Sequence, residues 1–286
     1  MNKNFADFYV DNKKCISCGN CIKVCPGQLL NFNEEKKIKM KEINCFGWDG
    51  CWKCQHCLAV CPVGAISVLN KKPQNSIPVP DYSKSGDIMD SIMVNRRAHR
   101  RYLNKNVDKK IIENMLNILQ AAPNGGNKSL VEYVLIDDRD QLKYFHDLIY
   151  KKMIKLARKG IYAEGYDEKS FNQLKVWEKI VRPDMLFCGA PHVLIPHAPI
   201  GIGCYVQDVN IACAYFELLC ASRGLGAIPM TYPLDVLNLM PEEKAMLQIP
   251  QNHYVSMFIG FGYPEIKYSR GVQKEDNLKI KILKFI

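Results

Sequence analysis

Apolar residues recur along this chain at two different periods, and the switches between them delimit its elements. Ile88, Met89, Ile92 and Met93 fall at i, i+3 and i+4, a spacing that puts them on one helical stripe. A second helix is predicted from Lys109 to Gln120, with Asp108 as its N-cap and Pro123 beyond its end. Val131 to Ile136 is short and β-branched and predicts a strand, after which residues 139–159 return to helical spacing. His192 to Ile195 predicts another strand, and His253 to Gly260 a last one. Between them Gln207 to Ser222 reads as an apolar helix closed by Gly224 as its C′ residue. From Tyr263 to Ile286 the chain is basic and has little helical signal. Ile280, Ile282, Leu283 and Phe285 imply that this tail packs against another surface.

The first part of the chain lacks these periods. Residues 1–70 are rich in Cys and Lys, and residues 71–86 hold three prolines and read as a semi-rigid linker. Three units are expected: 1–70, the linker 71–86, and 87–286. At 286 residues, 48% hydrophobic and 24% charged, the chain is not wholly disordered, collagenous or coiled-coil. Met1 to Asp7 has no apolar signal region, and the longest apolar stretch, Ile211 to Ala221, is interrupted by Glu217. Neither a secretory signal nor a membrane-spanning helix is expected, and the cytoplasm is the predicted compartment. The net charge is +10, divided equally between residues 1–80 and the remainder. A basic balance suits nucleic-acid binding, but it equally suits a protein that holds anionic cofactors.

Nine of the 13 cysteines lie in the first 61 residues. In a reducing compartment such clustering points to metal or catalysis rather than disulfides. The run Cys15-x2-Cys18-x2-Cys21-x3-Cys25-Pro26 is repeated as Cys51-x2-Cys54-x2-Cys57-x3-Cys61-Pro62. This resembles the bacterial ferredoxin run, in which the fourth Cys ligates the other of two [4Fe-4S] clusters. The resemblance implies Cys15, Cys18, Cys21 and Cys61 for the first cluster, and Cys51, Cys54, Cys57 and Cys25 for the second. Zinc favours pairs of Cys with a longer spacer and fits the pattern less well. Gly19 is expected to let the backbone approach the cluster closely. Cys45 falls outside both runs and reads as an inert thiol. Trp52 and His56, between ligands, read as packing or shielding. Such clusters carry single electrons, so the terminal chemistry is expected in residues 87–286.

There, Asn95-Arg96-Arg97-Ala98-His99-Arg100-Arg101-Tyr102 is either a solvated basic helix end or an anion site built from guanidinium forks. Ala121-Ala122-Pro123-Asn124-Gly125-Gly126-Asn127-Lys128 is either an ordinary turn or a loop whose backbone approaches a ligand. Residues 87–265 resemble the nitroreductase family of FMN flavoproteins. Arg96 to Tyr102 is similar to that family's opening Arg-Arg-Ser-x-Arg-x-(Phe/Tyr) motif. Ala122 to Val131 is similar to Ala-Pro-Ser-x-x-Asn-x-Gln-Pro-Trp. Gln207 to Gly226 resembles the long central helix with its Gly-Leu-Gly turn, and Gly260-Phe261-Gly262-Tyr263-Pro264 completes the ordered set. The whole resembles the ferredoxin–nitroreductase fusions of anaerobic bacteria. Two departures stand out: Ala98 replaces the motif's Ser, and Ser129-Leu130-Val131 replaces Gln-Pro-Trp.

The resemblance implies an α+β fold, with a mostly antiparallel central sheet flanked by helices and a 2[4Fe-4S] ferredoxin-like domain ahead of it. It implies a homodimer with FMN at the interface. Arg96 and Arg97 would hold the phosphate and ribityl end. Ala98 would stand in the same cofactor-binding motif with the Ser contact to phosphate lost or replaced, and Arg100 would sit near the N1/O2 edge, where a guanidinium stabilises reduced flavin. Pro123, Asn124, Gly125 and Asn127 would belong to the loop that reaches the flavin from the partner subunit. Ile228 or Met230 would offer the N5 donor, because Pro229 has no N–H. Arg270 and Lys274 are both candidates for a second phosphate clamp. The implied function is electron passage between the clusters and FMN, with hydride delivery from N5 to a small acceptor such as a nitroaromatic or quinone. Reduced ferredoxin or NAD(P)H would be the donor. A flavo-iron–sulfur electron carrier or sensor without turnover is the alternative, and an iron–sulfur nucleic-acid-binding protein a third. The sequence displays no dedicated catalytic acid; His99, His192 and His197 read as structural.

Overall fold

The computed structural model describes residues 5–82, 85–180, 183–273 and 279–285. Its N-terminal part is built twice over. Two short antiparallel ladders pair β1 (Tyr9–Val10) with β4 (Ile66–Ser67) and β2 (Leu30–Phe32) with β3 (Ile38–Met40). Two single-turn helices lie within the cysteine runs, α1 (Asn20–Lys23) carrying Cys21 and α2 (His56–Ala59) carrying Cys57. Phe8, Leu30, Ile38, Leu58, Ile66 and Val68 form a separate small core here. Strands of two or three residues leave no readable alternation, which is why the sequence pattern did not anticipate them.

The larger part is a five-stranded antiparallel sheet in the order β5 (Glu132–Ile136), β6 (His192–Pro199), β9 (Phe258–Gly262), β7 (Gly226–Met230), with β8 (His253–Val255) also paired to β6. Helices α3 (Gly86–Asn95), α4 (Lys109–Leu119), α5 (Arg139–Ala157), α6 (Glu168–Ile180), α7 (Tyr205–Ser222), α8 (Tyr232–Asn238) and α9 (Pro241–Ala245) complete it. β6 is buried on both faces, and alternate residues feed two cores. Val193 and Ile195 face a core shared with α5, α6 and α8, whereas Leu194 and Ala198 face one shared with α4 and α7. This is the expected mostly antiparallel α+β architecture.

The end signals read from the sequence act as expected. The Asp108 side chain accepts from the Lys110 N–H at 2.8 Å and caps α4. Gly224 takes φ 68°, and the Leu225 and Gly224 N–H groups return to the Cys220 and Ala221 carbonyls at 2.9 and 3.1 Å, a Schellman closure of α7.

Two expectations are revised. The strand predicted from His253 to Gly260 is two strands, because β6 pairs His197 with Val255 but Leu194 with Ile259. Two residues of β6 therefore face three of the partner, a bulge. Pro196 lies at this point and has no N–H to continue the ladder. The apolar tail residues Ile280, Ile282, Leu283 and Phe285 are exposed on the single chain. Closer to the sheet the tail is anchored, with the Leu103 N–H donating to the Tyr263 carbonyl at 2.8 Å and Tyr268 edge-on to His99 at 5.6 Å between centroids.

Candidate functional site: two cysteine bays and an arginine cavity

The eight repeated cysteines line two separate cavities, and each takes its fourth member from the other run. One is lined by Cys15, Cys18, Cys21 and Cys61, with Ile16, Ile38, Val63 and Ile66 as its apolar wall. The other is lined by Cys25, Cys51, Cys54 and Cys57, with Phe8, Leu29, Met40 and Trp52. The structure thus groups the thiols in the sets that the resemblance implies. Cys45 is outside both linings.

The backbone repeats with the cysteines. Ser17 and Gly19 in the first run and Lys53 and Gln55 in the second all have φ between 54° and 73°. Alternation of left-handed with ordinary residues turns successive N–H groups inward, a concavity suited to anions such as thiolate-bound clusters. Gly19 is therefore used for its left-handed conformation. Gln55 adopts the same conformation with a side chain, and a Cβ at Gly19 would make only ordinary contact with Phe32. The fourth cysteine of each run accepts a backbone N–H four residues on, Leu29 to Cys25 Sγ at 3.4 Å and Ala65 to Cys61 Sγ at 3.2 Å. Bonds of this kind tune cluster potentials. Burial pushes the free Cys57 thiol up to about 12, a penalty on the thiolate that metal coordination removes. The Trp52 indole N–H is buried without an acceptor among the described residues, at the wall of the second bay, where a cluster sulfur would supply one.

The arginine motif follows α3 and borders an open cavity lined in part by Arg96, Arg97, His99, Glu217, Gly224 and Tyr268. The two arginines do different work. Arg96 pairs with Glu217 of α7 at 2.8 Å. Arg97 donates from Nη1 to the Val94 and Arg96 carbonyls at 2.7 and 2.6 Å, while its Nε and Nη2 are buried without partners among the described residues. A half-buried guanidinium with two orphaned donors fits an anion, such as the flavin phosphate. Ala98 forms a parallel bridge with Ala227 of β7, so this position contributes backbone. Arg100 is exposed, with Nη1 on the Ala98 carbonyl at 3.2 Å. Arg270 is exposed, close in sequence to Tyr268, and Lys274 lies outside the described residues. Ile228 and Met230 are buried on β7, with Pro229 exposed between them. Burial holds His99 below the usual imidazole range, and its ring fills the space where a Cβ on Gly226 would lie, at 2.5 Å from Cγ. The two glycines of the Gly-Leu-Gly turn thus serve different needs, conformation at Gly224 and room at Gly226.

The glycine-rich loop lies at the other end of α7. The Gly125 N–H donates to the buried Asp208 carboxylate at 2.9 Å, and a Cβ at Gly125 would meet Cys204 Sγ at 2.8 Å. The Asn124 side chain accepts from the Ser129 N–H at 2.8 Å and closes the loop, and Pro123 is exposed before it. Asp208 and Glu217 are nine residues apart on α7, about 13 Å at the helical rise. One helix therefore positions both the loop and Arg96. Asn127 reaches out of the loop and donates from Nδ2 to the Trp52 carbonyl at 3.0 Å, directly behind Cys51. Neither Asp208 nor Glu217 was singled out as a site residue; both are acidic groups on an otherwise apolar helix, and that was the available signal. His192 accepts the Val107 N–H at Nε2, 2.8 Å, a structural role.

Residues 93–263 match the model of the nitroreductase family, and residues 14–65 match that of the 4Fe-4S dicluster domain. A ferredoxin of Pyrobaculum islandicum is 41% identical over 58 residues, 20% of this chain and 49% of that protein, so the chain spans about half its length. An iodotyrosine deiodinase of Haliscomenobacter hydrossis is 23% identical over 218 residues, 70% of this chain and 90% of the relative. The fold is that of a nitroreductase with bound FMN from Bacteroides fragilis, with a TM-score of 0.53 at 17% identity over 68% of this chain and 98% of that one. Among the described residues no helix is long and apolar enough to cross a membrane.

Proposed function

This chain belongs to the nitroreductase family and carries a 4Fe-4S dicluster domain ahead of it, and we propose that it passes electrons between two clusters and FMN to reduce a small organic acceptor. It is an FMN- and iron–sulfur-dependent oxidoreductase, with two [4Fe-4S] clusters and FMN as cofactors. When bound, the clusters exchange single electrons and the flavin collects two and delivers them as a hydride from N5. The acceptor class is a nitroaromatic or a quinone.

We assign Cys15, Cys18, Cys21 and Cys61 to one cluster and Cys51, Cys54, Cys57 and Cys25 to the other. Arg97 takes the phosphate with its two free donors. Arg96 neutralises Glu217 and holds α3 against α7, so it positions Arg97. Ala98 ties the motif to β7 through the backbone. Arg100, at the surface, is free to face the N1/O2 edge, and Arg270 is the described candidate for a second clamp. Ile228 and Met230 carry the backbone along the N5 side.

The observation that carries this reading is the bond from Asn127 to the Trp52 carbonyl. It joins a ligand loop of the second bay to the loop that the family resemblance places against flavin. The arginine motif and this loop sit at opposite ends of α7, so two copies related by a twofold axis would complete each other's sites. Ile88, Met89, Met93 and Val94 of α3 are exposed on the single chain and supply apolar surface for such a homodimer. In that dimer the second cluster of one chain adjoins the flavin whose phosphate is held by Arg97 of the other. The internal engagement of Arg96 and Arg97 speaks against a nucleic-acid surface.

Reduced ferredoxin or NAD(P)H is the proposed donor, and the cytoplasm of an anaerobe the proposed setting. Steady-state assays with each donor against nitroaromatics, quinones and an iodophenol test the reading. Turnover of a nitroaromatic or quinone supports it. Reducible FMN with no turnover of any acceptor supports the carrier or sensor alternative instead.

A further inference from the structure

The sheet carries a third group of metal-ligating side chains, away from the two cysteine bays and the arginine cavity. Glu132 on β5 and His197 on β6 are cross-strand partners and so project from the same face. His253 on β8 lies two residues from Val255, the partner of His197, and therefore shares that face too. Their ligand atoms all lie within 4.8 Å of one another. The Nδ1 atoms of His197 and His253 approach to 2.8 Å. His197 is 3% exposed, His253 half-buried, and Glu132 open to solvent.

We propose that Glu132, His197 and His253 form a binding site for a borderline divalent transition metal, of which Zn²⁺ is the representative. Two imidazoles and one carboxylate are a donor set that Zn²⁺ and its neighbours take, with a fourth position left to water. The exposed Glu132 side provides that opening. Tetrahedral ligation places two nitrogens about 3.3 Å apart at metal–nitrogen distances of about 2.0–2.1 Å. The pair need open by only about half an ångström from its metal-free hydrogen bond. The site would clamp three strands beside the bulge at Pro196. β5 leads directly back to the glycine-rich loop, with Glu132 five residues beyond Asn127, so occupancy stiffens the strand that carries the loop.

The test uses the holoprotein with its clusters and FMN in place. It is equilibrated with ZnCl₂, desalted, and measured for Zn and Fe per chain, for Tm, and by zinc-edge X-ray absorption. Expected are one retained Zn per chain, unchanged Fe, a higher Tm, and nitrogen and oxygen neighbours at about 2.0–2.1 Å. Glu132→Gln, at an exposed position that tolerates change, and His253→Gln should each weaken Zn²⁺ at least about tenfold while leaving Fe and FMN content unchanged. Failure to retain Zn, sulfur neighbours at about 2.3 Å, or undiminished affinity in both variants overturns the proposal.

Discussion

Asn127 donates from its side-chain amide to the Trp52 carbonyl at 3.0 Å, bridging 75 residues of sequence. The acceptor sits between Cys51 and Cys54, and the donor sits on the loop held by Asp208. The order of the chain places the second cysteine run and the glycine-rich loop far apart, and this bond holds them in contact. In the proposed relay the bay lined by Cys25, Cys51, Cys54 and Cys57 is therefore the inner one, and the Cys15, Cys18, Cys21 and Cys61 bay is the proposed entry for an external donor.

Replacing Asn127 by Ala removes that bond. A hydrogen bond of this type contributes about 1 kcal/mol, which loosens the docked arrangement about fivefold. Stopped-flow mixing of the reduced variant with acceptor should show slower reoxidation of the clusters through the flavin. Iron and FMN content should match the unsubstituted protein.

The two arginines predict different phenotypes. Arg97→Ala deletes the buried, unpartnered donors. It should weaken FMN about 10- to 100-fold, the range for bonds to a charged acceptor, with little change in Tm. Arg96→Ala instead strands Glu217, whose side chain is only 14% exposed. Its main effect should be a lower Tm, with a smaller loss of flavin. Flavin titration of the apo-flavin form beside a thermal melt separates the two.

At Gly125 an added methyl group would meet Cys204 at 2.8 Å from Sγ and 2.9 Å from Cβ. Gly125→Ala should cost about 1–3 kcal/mol, as overpacking does. It should also displace the loop from Asp208. Hydrogen exchange at residues 125–129 is expected to accelerate relative to that in α7.

Acid should expose the pairing of α5 with α9. Lys152 Nζ contacts both Glu243 carboxylate oxygens, at 2.9 and 2.7 Å. Burial pushes the Glu243 carboxyl up, but the Lys152 hydrogen bond, a backbone N–H and the Lys152 charge together outweigh it and leave its pKa below the ordinary 4.5. A depressed folded-state pKa gives stability that is present above the unfolded value and lost as pH falls through the folded one. The Tm gap between the protein and Glu243→Gln should thus be full at neutral pH and close in acid below about pH 4. A gap that persists unchanged there would mean that the pair is not its source.

The parts legible in the sequence were those whose causes are local. The doubled cysteine run, the Asp108 cap and the Gly224 closure each act within a few residues. The rest depended on partners distant in sequence. β7 was not predicted as a strand because Pro229 interrupts it, yet β7 is the outer strand of the sheet and Pro229 faces outward, where no ladder bond is lost. α6 buries only Phe171 and Leu174, too narrow an apolar stripe to stand out. The division of labour between Arg96 and Arg97 depends on Glu217, 121 residues away. The sharing of cysteines between bays was legible only through the ferredoxin pattern.

In the proposed relay, electrons move between the cysteine bays and the flavin through the Trp52–Asn127 contact. Its most direct test is single-turnover reduction of the anaerobic holoprotein with a strong one-electron donor, following cluster and flavin absorbance together. Cluster bleaching is expected to precede flavin reduction, cluster colour to return as the flavin is reduced, and Cys54→Ser to abolish this transfer while FMN stays bound. Clusters that remain reduced beside a flavin that stays oxidised, or a flavin reduced equally fast in Cys54→Ser, would contradict it.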